Sequence, residues 1–300
     1  MTARHEPLDR HALGRRLTQL AGASASDLLR GLQPGASATR ARRIGLTGPP
    51  GAGKSTLAGH LALHRLPDRR VGVLAIDPSS PRSGGAILGD RIRMDALAGS
   101  SELYIRSIGS RSAHDGLSDN LPEMLDAMDE FGFDEVLLET VGVGQAEYAA
   151  RSQVDTLVLV LLPESGDIVQ AMKAGIMEMA DIVVVNKADL AGAQKMATDI
   201  RRIGALSRHA DGEWRPPVLL VSFAQTETIT ALSAAIDHHQ AWLAESERRT
   251  ALLQARARYR LGRVIERRAA SAVAALDAQA LEASLEHQVD RVLQHIRRPE

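Results

Sequence analysis

Short apolar runs recur through the middle of the chain, separated by stretches of helix length. Ile44–Thr47, Val71–Ile76, Leu103–Ile105, Val136–Leu138, Thr156–Leu162, Ile182–Val185 and Val218–Val221 are such runs. They are nearly continuous rather than alternating, the pattern of strands buried on both faces. Seven buried strands alternating with helices predict one mainly parallel sheet flanked by helices, an α/β fold, over residues 41–237. Ligands of such sheets bind beyond the carboxyl ends of the strands. Asp77, Glu139 and Asn186 each follow directly on one of these runs and fall at that edge.

The flanks read as helical. From Pro7 to Leu32, Leu8, Leu13, Leu17, Leu20, Leu28, Leu29 and Leu32 recur at helix-compatible spacing, predicting two short helices packed on the main domain. Gln33 to Thr39 is a linker by its turn residues. Residues 1–40 are thus expected to form an N-terminal helical extension, and 238–300 a C-terminal helical arm, a candidate for dimerisation. In the arm, Leu252, Leu253, Leu261 and Val264 mark one apolar face. Val273, Leu276, Leu281, Leu285, Val289, Val292 and Ile296 mark another. Arg256, Arg258, Arg260, Arg263, Arg267 and Arg268 crowd one section. They read either as a solvated face with Glu266 nearby or as a surface that grips a partner protein.

Composition narrows the classes. With 44% apolar and 24% charged residues, the 300-residue chain can bury a sizeable core. That core is aliphatic, since aromatics make up 3%. A formal net charge of -1 gives no bulk attraction to nucleic acid or membrane. There is no cysteine, so disulfides, thiolate metal sites and cysteine nucleophiles are excluded. The start, Met1 to Glu6, lacks an apolar signal core, and Leu157 to Leu162 is too short to span a bilayer. A cytoplasmic protein is expected.

The chemistry begins at Gly48-Pro49-Pro50-Gly51-Ala52-Gly53-Lys54-Ser55-Thr56, which fits G-x-x-x-x-G-K-[ST] at every fixed position. It follows a predicted strand and opens a predicted helix from Ser55 to Leu66, the setting a phosphate loop needs. Backbone N–H groups must turn inward around the phosphates, and glycines allow this without a side-chain clash. Lys54 would span the β- and γ-phosphates, and the Ser55 hydroxyl would sit on Mg²⁺. The expected fold is therefore that of a P-loop nucleoside triphosphatase.

Asn186-Lys187-Ala188-Asp189 fits N-K-x-D, a guanine reader. The Asp189 carboxylate can accept from N1–H and the 2-amino group together, a donor pair adenine lacks. Asn186 can bond O6 or tie neighbouring loops, and the Lys187 stem can cover the ring face. GTP and GDP are the expected ligands.

Asp77, Asp90 and Glu139 with Ser55 make a natural Mg²⁺ shell, partly through water. The loop after Asp77, rich in Ser, Pro and Gly, is a candidate switch, as is Glu139 to Gln145. Gly142 is placed to bring a backbone N–H to a γ-phosphate, and Gln145 to position the attacking water. Arg82, Arg91, Arg93, Arg106 and Arg111 are candidate charge stabilisers. Lys173, in Glu164 to Gly175, belongs either to a third nucleotide-edge loop or to a simple helix start.

Together the segments Gly48–Thr56, Ile76–Met94, Glu139–Glu147 and Gly175–Asp189 resemble the MeaB/ArgK-type GTPases, chaperones associated with methylmalonyl-CoA mutase. The likeness runs from about Arg43 to Leu190. It implies a homodimeric, metal-dependent GTPase of the signal-recognition-particle/MinD/BioD class. It also implies a role in gating adenosylcobalamin delivery to a B12-dependent acyl-CoA mutase, and in protecting that mutase. By family position Asp77, Asp90 and Glu139 carry over as Mg²⁺-linked acids. Lys173 carries over as part of a third switch. One segment departs from the pattern. Where the family has Ser-Ala-Leu behind the guanine, this chain has Ser222-Phe223-Ala224-Gln225, then Thr226-Glu227-Thr228 in place of a glycine-rich turn. Backbone contacts from Ser222 to Ala224 to the base are still expected. Two other functions fit a P-loop with weaker support: nickel delivery, for which His238 and His239 are the only adjacent histidines, and a nucleotide-dependent kinase, for which no acceptor site is marked.

Overall fold

The computed structural model describes residues 6–32, 40–78, 100–110, 117, 119–140, 145–163, 175–206, 212–245 and 247–297, with backbone alone at 31–32, 77–78, 110, 145–147 and 206. All seven apolar runs are strands of one sheet. The strands are β1 (Arg42–Thr47), β2 (Val71–Pro78), β3 (Leu103–Ser110), β4 (Glu135–Glu139), β5 (Thr156–Leu161), β6 (Ile182–Asn186) and β7 (Val218–Val221). Every pairing is parallel, in the order β3-β2-β4-β1-β5-β6-β7. The chain winds outward from β1 to one edge and then to the other, so β1 sits at the switch point of the sheet, where ligands bind.

β3 continues five residues past its apolar run, to Ser110, in full register with β2. It is an edge strand, so polar side chains there need not be buried. One of them corrects an expectation. Arg106, a candidate charge stabiliser, is engaged elsewhere: it reaches back to the first helix, α1 (Arg10–Gly22), donating to Gly14 O at 3.0 Å and Thr18 Oγ1 at 3.0 Å. Arg82, Arg91, Arg93 and Arg111 lie outside the described residues.

Two helical layers cover the sheet. On one face α1, α3 (Leu121–Glu130) and α4 (Gln145–Gln153) pack, with Leu13, Leu17 and Leu20 fully buried in one apolar cluster that includes β2 and β4 side chains. On the other face lie α2 (Lys54–Arg65) and α6 (Thr226–Ala244), burying Leu57, Leu61, Leu232 and Ile236 against β1, β2 and β6. α5 (Ala193–Leu206) covers β5 and β6 in a third cluster. β4, β5 and β6 are buried at every position, which explains their unbroken apolar sequence.

The arm is a helical hairpin of α7 (Arg248–Ala274) and α8 (Leu285–Arg297). Its arginines are not a solvated face. Arg256 donates to Asp155 (2.8 Å), Arg260 to Glu123 (2.8 Å) and Asp126 (3.0 Å), and Arg263 to Asp119 (2.7 Å). Arg267 bonds Asn120 Oδ1 and, at 2.7 Å, Ala23 O. These pairs clamp α7 onto α1's end and α3. Arg258 is exposed. The opposite side of the hairpin is apolar and open. Leu261, Ile265 and Val273 on α7, and Leu285, Val289 and Leu293 on α8, are 46–75% exposed at spacings that are multiples of four.

Candidate nucleotide site

Central strand β1 runs straight into Gly48–Gly53, and α2 starts at Lys54. Two glycines are demanded by geometry. Gly48 has φ +137, and a Cβ there would lie 2.0 Å from Val160 O. Gly53 has φ +85, and a Cβ would lie 2.5 Å from Asn186 Nδ2. The loop is thus pressed against β5 and β6, with the N-terminus of a twelve-residue helix behind it. Lys54 is buried, and its ammonium donates to Gly48 O (2.8 Å) and Pro49 O (3.0 Å). A cation held inside a glycine cradle at a helix N-terminus suits a chain of phosphates.

Glu139, at the end of β4, accepts from the Ser55 hydroxyl at 2.6 Å. One residue on, the buried Thr140 hydroxyl bonds Thr47 Oγ1 (3.1 Å), and Thr140 N–H donates to Leu46 O (3.1 Å). The exits of β4 and β1 are therefore clipped together, which places Glu139 on the first turn of α2. Sequence reasoning missed Thr47 and Thr140, since neither belongs to the fixed positions of a motif. Backbone pairing sets Asp77 near the end of β2, opposite Gly109. Gln145 begins α4. Asp90, Gly142 and Lys173 lie outside the described residues.

The N-K-x-D turn closes the other end. Asn186 is fully buried at the tip of β6, and its Nδ2 donates to Ala52 O at 2.8 Å. Of its two expected roles, the structure shows the tie between loops. Its Oδ1 is buried with no hydrogen-bond partner among the described residues. Lys187 takes φ +52, unusual for a side chain with a Cβ, and Ala188 N–H donates to Val221 O (2.9 Å). This bend carries Asp189 next to Ser222, whose hydroxyl donates to Asp189 Oδ1 at 2.8 Å. Phe223 and Ala224 form the following turn. Thr228 caps it: Ser222 N–H donates to Thr228 Oγ1 (3.1 Å), whose own hydrogen faces the carbonyls of Ser222 (3.0 Å) and Gln225 (2.7 Å). The Thr226-Glu227-Thr228 departure thus supplies a hydroxyl cap where a glycine-rich turn was expected.

The Ser222 hydroxyl, then local backbone N–H and Lys187, hold the Asp189 carboxyl below the usual carboxylate range against a small opposing effect of burial. A depressed carboxyl keeps its charge until the pH falls through its lowered pKa. The contribution of Asp189 to GDP affinity is therefore expected to be constant at every pH above the ordinary carboxylate range. In Ser222→Ala the decline on acidification should begin at higher pH than in the wild type. Fluorescent-GDP titrations across pH measure both, and coincident profiles for the two proteins would refute this role for Ser222.

A parallel sheet whose central strand feeds a glycine-cradled lysine, with an N-K-x-D turn at the end of a neighbouring strand, defines a P-loop GTPase, a hydrolase that converts GTP to GDP and phosphate. The chain belongs to the methylmalonyl Co-A mutase-associated GTPase MeaB family, whose model matches residues 16–278. A Mycobacterium tuberculosis protein named "Probable GTPase" is 40% identical over 242 residues, covering 77% of this chain and 71% of its own. The mouse methylmalonic aciduria type A homolog, mitochondrial, is 40% identical over 196 residues, 63% of this chain and 47% of its own. Among solved structures, that of an LAO/AO transport system kinase covers 98% of this chain and 100% of its own, with TM-score 0.60 at 22% identity. At that identity the likeness bears on the fold alone.

Proposed function

We propose that this GTPase is a Mg²⁺-dependent chaperone of a B12-dependent acyl-CoA mutase, methylmalonyl-CoA mutase or a relative, and gates adenosylcobalamin delivery to it. The observation that carries the reading is the bond between Ser55 and Glu139, 2.6 Å long. It joins the phosphate loop to the first residue of the Glu139–Gln145 segment, so occupancy at the phosphates has a direct mechanical route into that segment. Membership in a mutase-associated family supports the mutase as the reader of that change.

Ser55 and Glu139 are adjacent hard oxygen donors, which suits Mg²⁺, with Asp77 and Asp90 as further acids of the same set. When bound there, the ion would neutralise charge on the β- and γ-phosphates. Within the chain, the Gly48–Thr56 backbone and Lys54 orient the phosphates. Asn186, Lys187, Asp189 and the Ser222–Ala224 turn select guanine. Gly142, Gln145 and Lys173 serve the nucleotide-sensing loops. Residues 1–40 and 238–300 act as helical extensions of the 41–237 GTPase domain. The open apolar side of the α7–α8 hairpin supports a homodimer. A cytoplasmic location is part of the proposal; among the described residues no helix is long and apolar enough to cross a membrane. The nickel-delivery alternative gains nothing from the histidine pair. His239 is buried, with Nδ1 2.9 Å from Thr156 Oγ1 and Nε2 3.3 Å from Asp181 Oδ1, so both ring nitrogens face structural partners.

The purified protein should turn over GTP slowly and dimerise by light scattering. Adding the purified mutase should accelerate hydrolysis, and GTP should control transfer of adenosylcobalamin. A GTPase rate and a cobalamin transfer both indifferent to the mutase would end the chaperone reading.

A further inference from the structure

The sequence departure at Phe223 has a partner that no motif contains. The Phe223 ring stacks on His60 of α2, with centroids 4.7 Å apart and planes 11° from parallel. His60 lies on the same helix as Lys54 and Ser55. Phe223 follows Ser222, the residue whose hydroxyl holds Asp189 at 2.8 Å. An unbroken line of contacts therefore runs from the phosphate-loop helix through two rings to the acceptor carboxylate.

We infer that His60 and Phe223 are a positioning pair that sets the Asp189 carboxylate from the phosphate-loop helix and so determines base selectivity. The inference rests on reading Asp189 as the guanine acceptor. Its physical basis is the weakness of the turn alone. Phe223 and Ala224 connect β7 to α6, closed by Gln225 N–H on Ser222 O at 3.0 Å and by the Thr228 hydroxyl. Those bonds fix the shape of the turn but tie it to nothing beyond β7 and α6. The stacked pair adds the missing tether to α2. Asn186 supplies a second one, from the end of β6 to Ala52 O at 2.8 Å. With both in place, the distance between phosphate cradle and base acceptor is held by the protein before nucleotide arrives. Preorganisation of that kind sharpens discrimination, because a misplaced carboxylate meets the N1–H and 2-amino donors unequally.

The test compares GDP, IDP, which lacks the 2-amino group, and ADP in equilibrium titrations. The proteins are wild type, His60→Ala, Phe223→Leu and His60→Phe, each checked by thermal melting. His60→Ala and Phe223→Leu should weaken GDP binding by about three- to ten-fold, the range expected for loss of one aromatic pair. They should lower the GDP-over-IDP preference by a similar factor. His60→Phe, which keeps the stack, should restore both. In turnover, His60→Ala should raise KM for GTP more than it lowers kcat. If the variants weaken GDP and IDP equally, or change neither while the wild type still prefers guanine, the positioning role is wrong. If the wild type binds ADP as tightly as GDP, the reading of Asp189 itself fails instead.

Discussion

Replacing Asp189 by asparagine is expected to weaken GTP and GDP binding by about a thousand-fold while leaving the fold intact. The carboxylate is positioned by Ser222 at 2.8 Å and by the left-handed bend at Lys187. It offers acceptors only, matching two guanine donors. An asparagine side chain offers one acceptor and two N–H donors. One guanine donor then meets another donor, and two charge-assisted hydrogen bonds are lost or reversed. The same change should favour xanthine nucleotides, which present a carbonyl in place of the 2-amino group. Competition titrations with GDP and XDP measure this directly. Retained GDP affinity in Asp189→Asn would remove the N-K-x-D turn from base recognition. Stability should be almost unchanged, because Asp189 is exposed and asparagine keeps an oxygen to accept from the buried Ser222 hydroxyl.

The largest loss of stability is expected at Arg65. This side chain is fully buried at the end of α2. Its guanidinium binds Glu135 in a fork (2.5 and 2.7 Å), Ser233 (2.6 Å to Oγ) and Asp237 (2.6 Å). Burial alone would lower its pKa; the contacts with Glu135 and Asp237 outweigh that and hold it raised. The cluster joins the end of α2, the start of β4 and the middle of α6, so it fixes the phosphate-loop helix to the sheet. Arg65→Met should cost about 3–5 kcal/mol, since it leaves the fully buried Glu135 short of its main counter-charge. Arg69, 3.3 Å from Glu135 Oε1, moderates the loss without replacing the fork. At roughly 1.6 °C per kcal/mol for a chain of this size, the melting temperature should fall by about 5–8 °C. The double change Arg65→Met with Glu135→Leu should recover most of it, because it removes the orphaned charge too. A melting curve for Arg65→Met that overlays the wild type would show that the cluster contributes little.

Legibility differed sharply between contiguous motifs and contacts made across the chain. The phosphate loop and the N-K-x-D turn are contiguous, so their residue types and spacing could be read directly, along with the strands that present them. The strands were visible because helices cover both faces of the sheet and demand apolar residues at every position of β4, β5 and β6. What escaped were contacts between distant parts of the chain. The α7 arginines look like a solvated run in isolation. Their acidic partners lie 101 to 144 residues earlier, so no local pattern signals the clamp. His60 carried no signal at all: its meaning depends on Phe223 being brought over α2. Thr228 looked like the loss of a glycine turn, when its hydroxyl closes the same turn by another route.

The sequence by itself determined the class of ligand, the strand-helix alternation and the residue types at the phosphate and base ends, because each is written in short-range spacing that backbone geometry enforces. Tertiary structure alone decided which of those residues act together. Glu139 meets Ser55 across 84 positions, and Asn186 meets Ala52 across 134. Both meetings follow from strand order, with β4 and β5 flanking β1 and β6 next to β5. That order is set by how the helical layers bury their apolar faces, a property of the whole chain that no single segment contains.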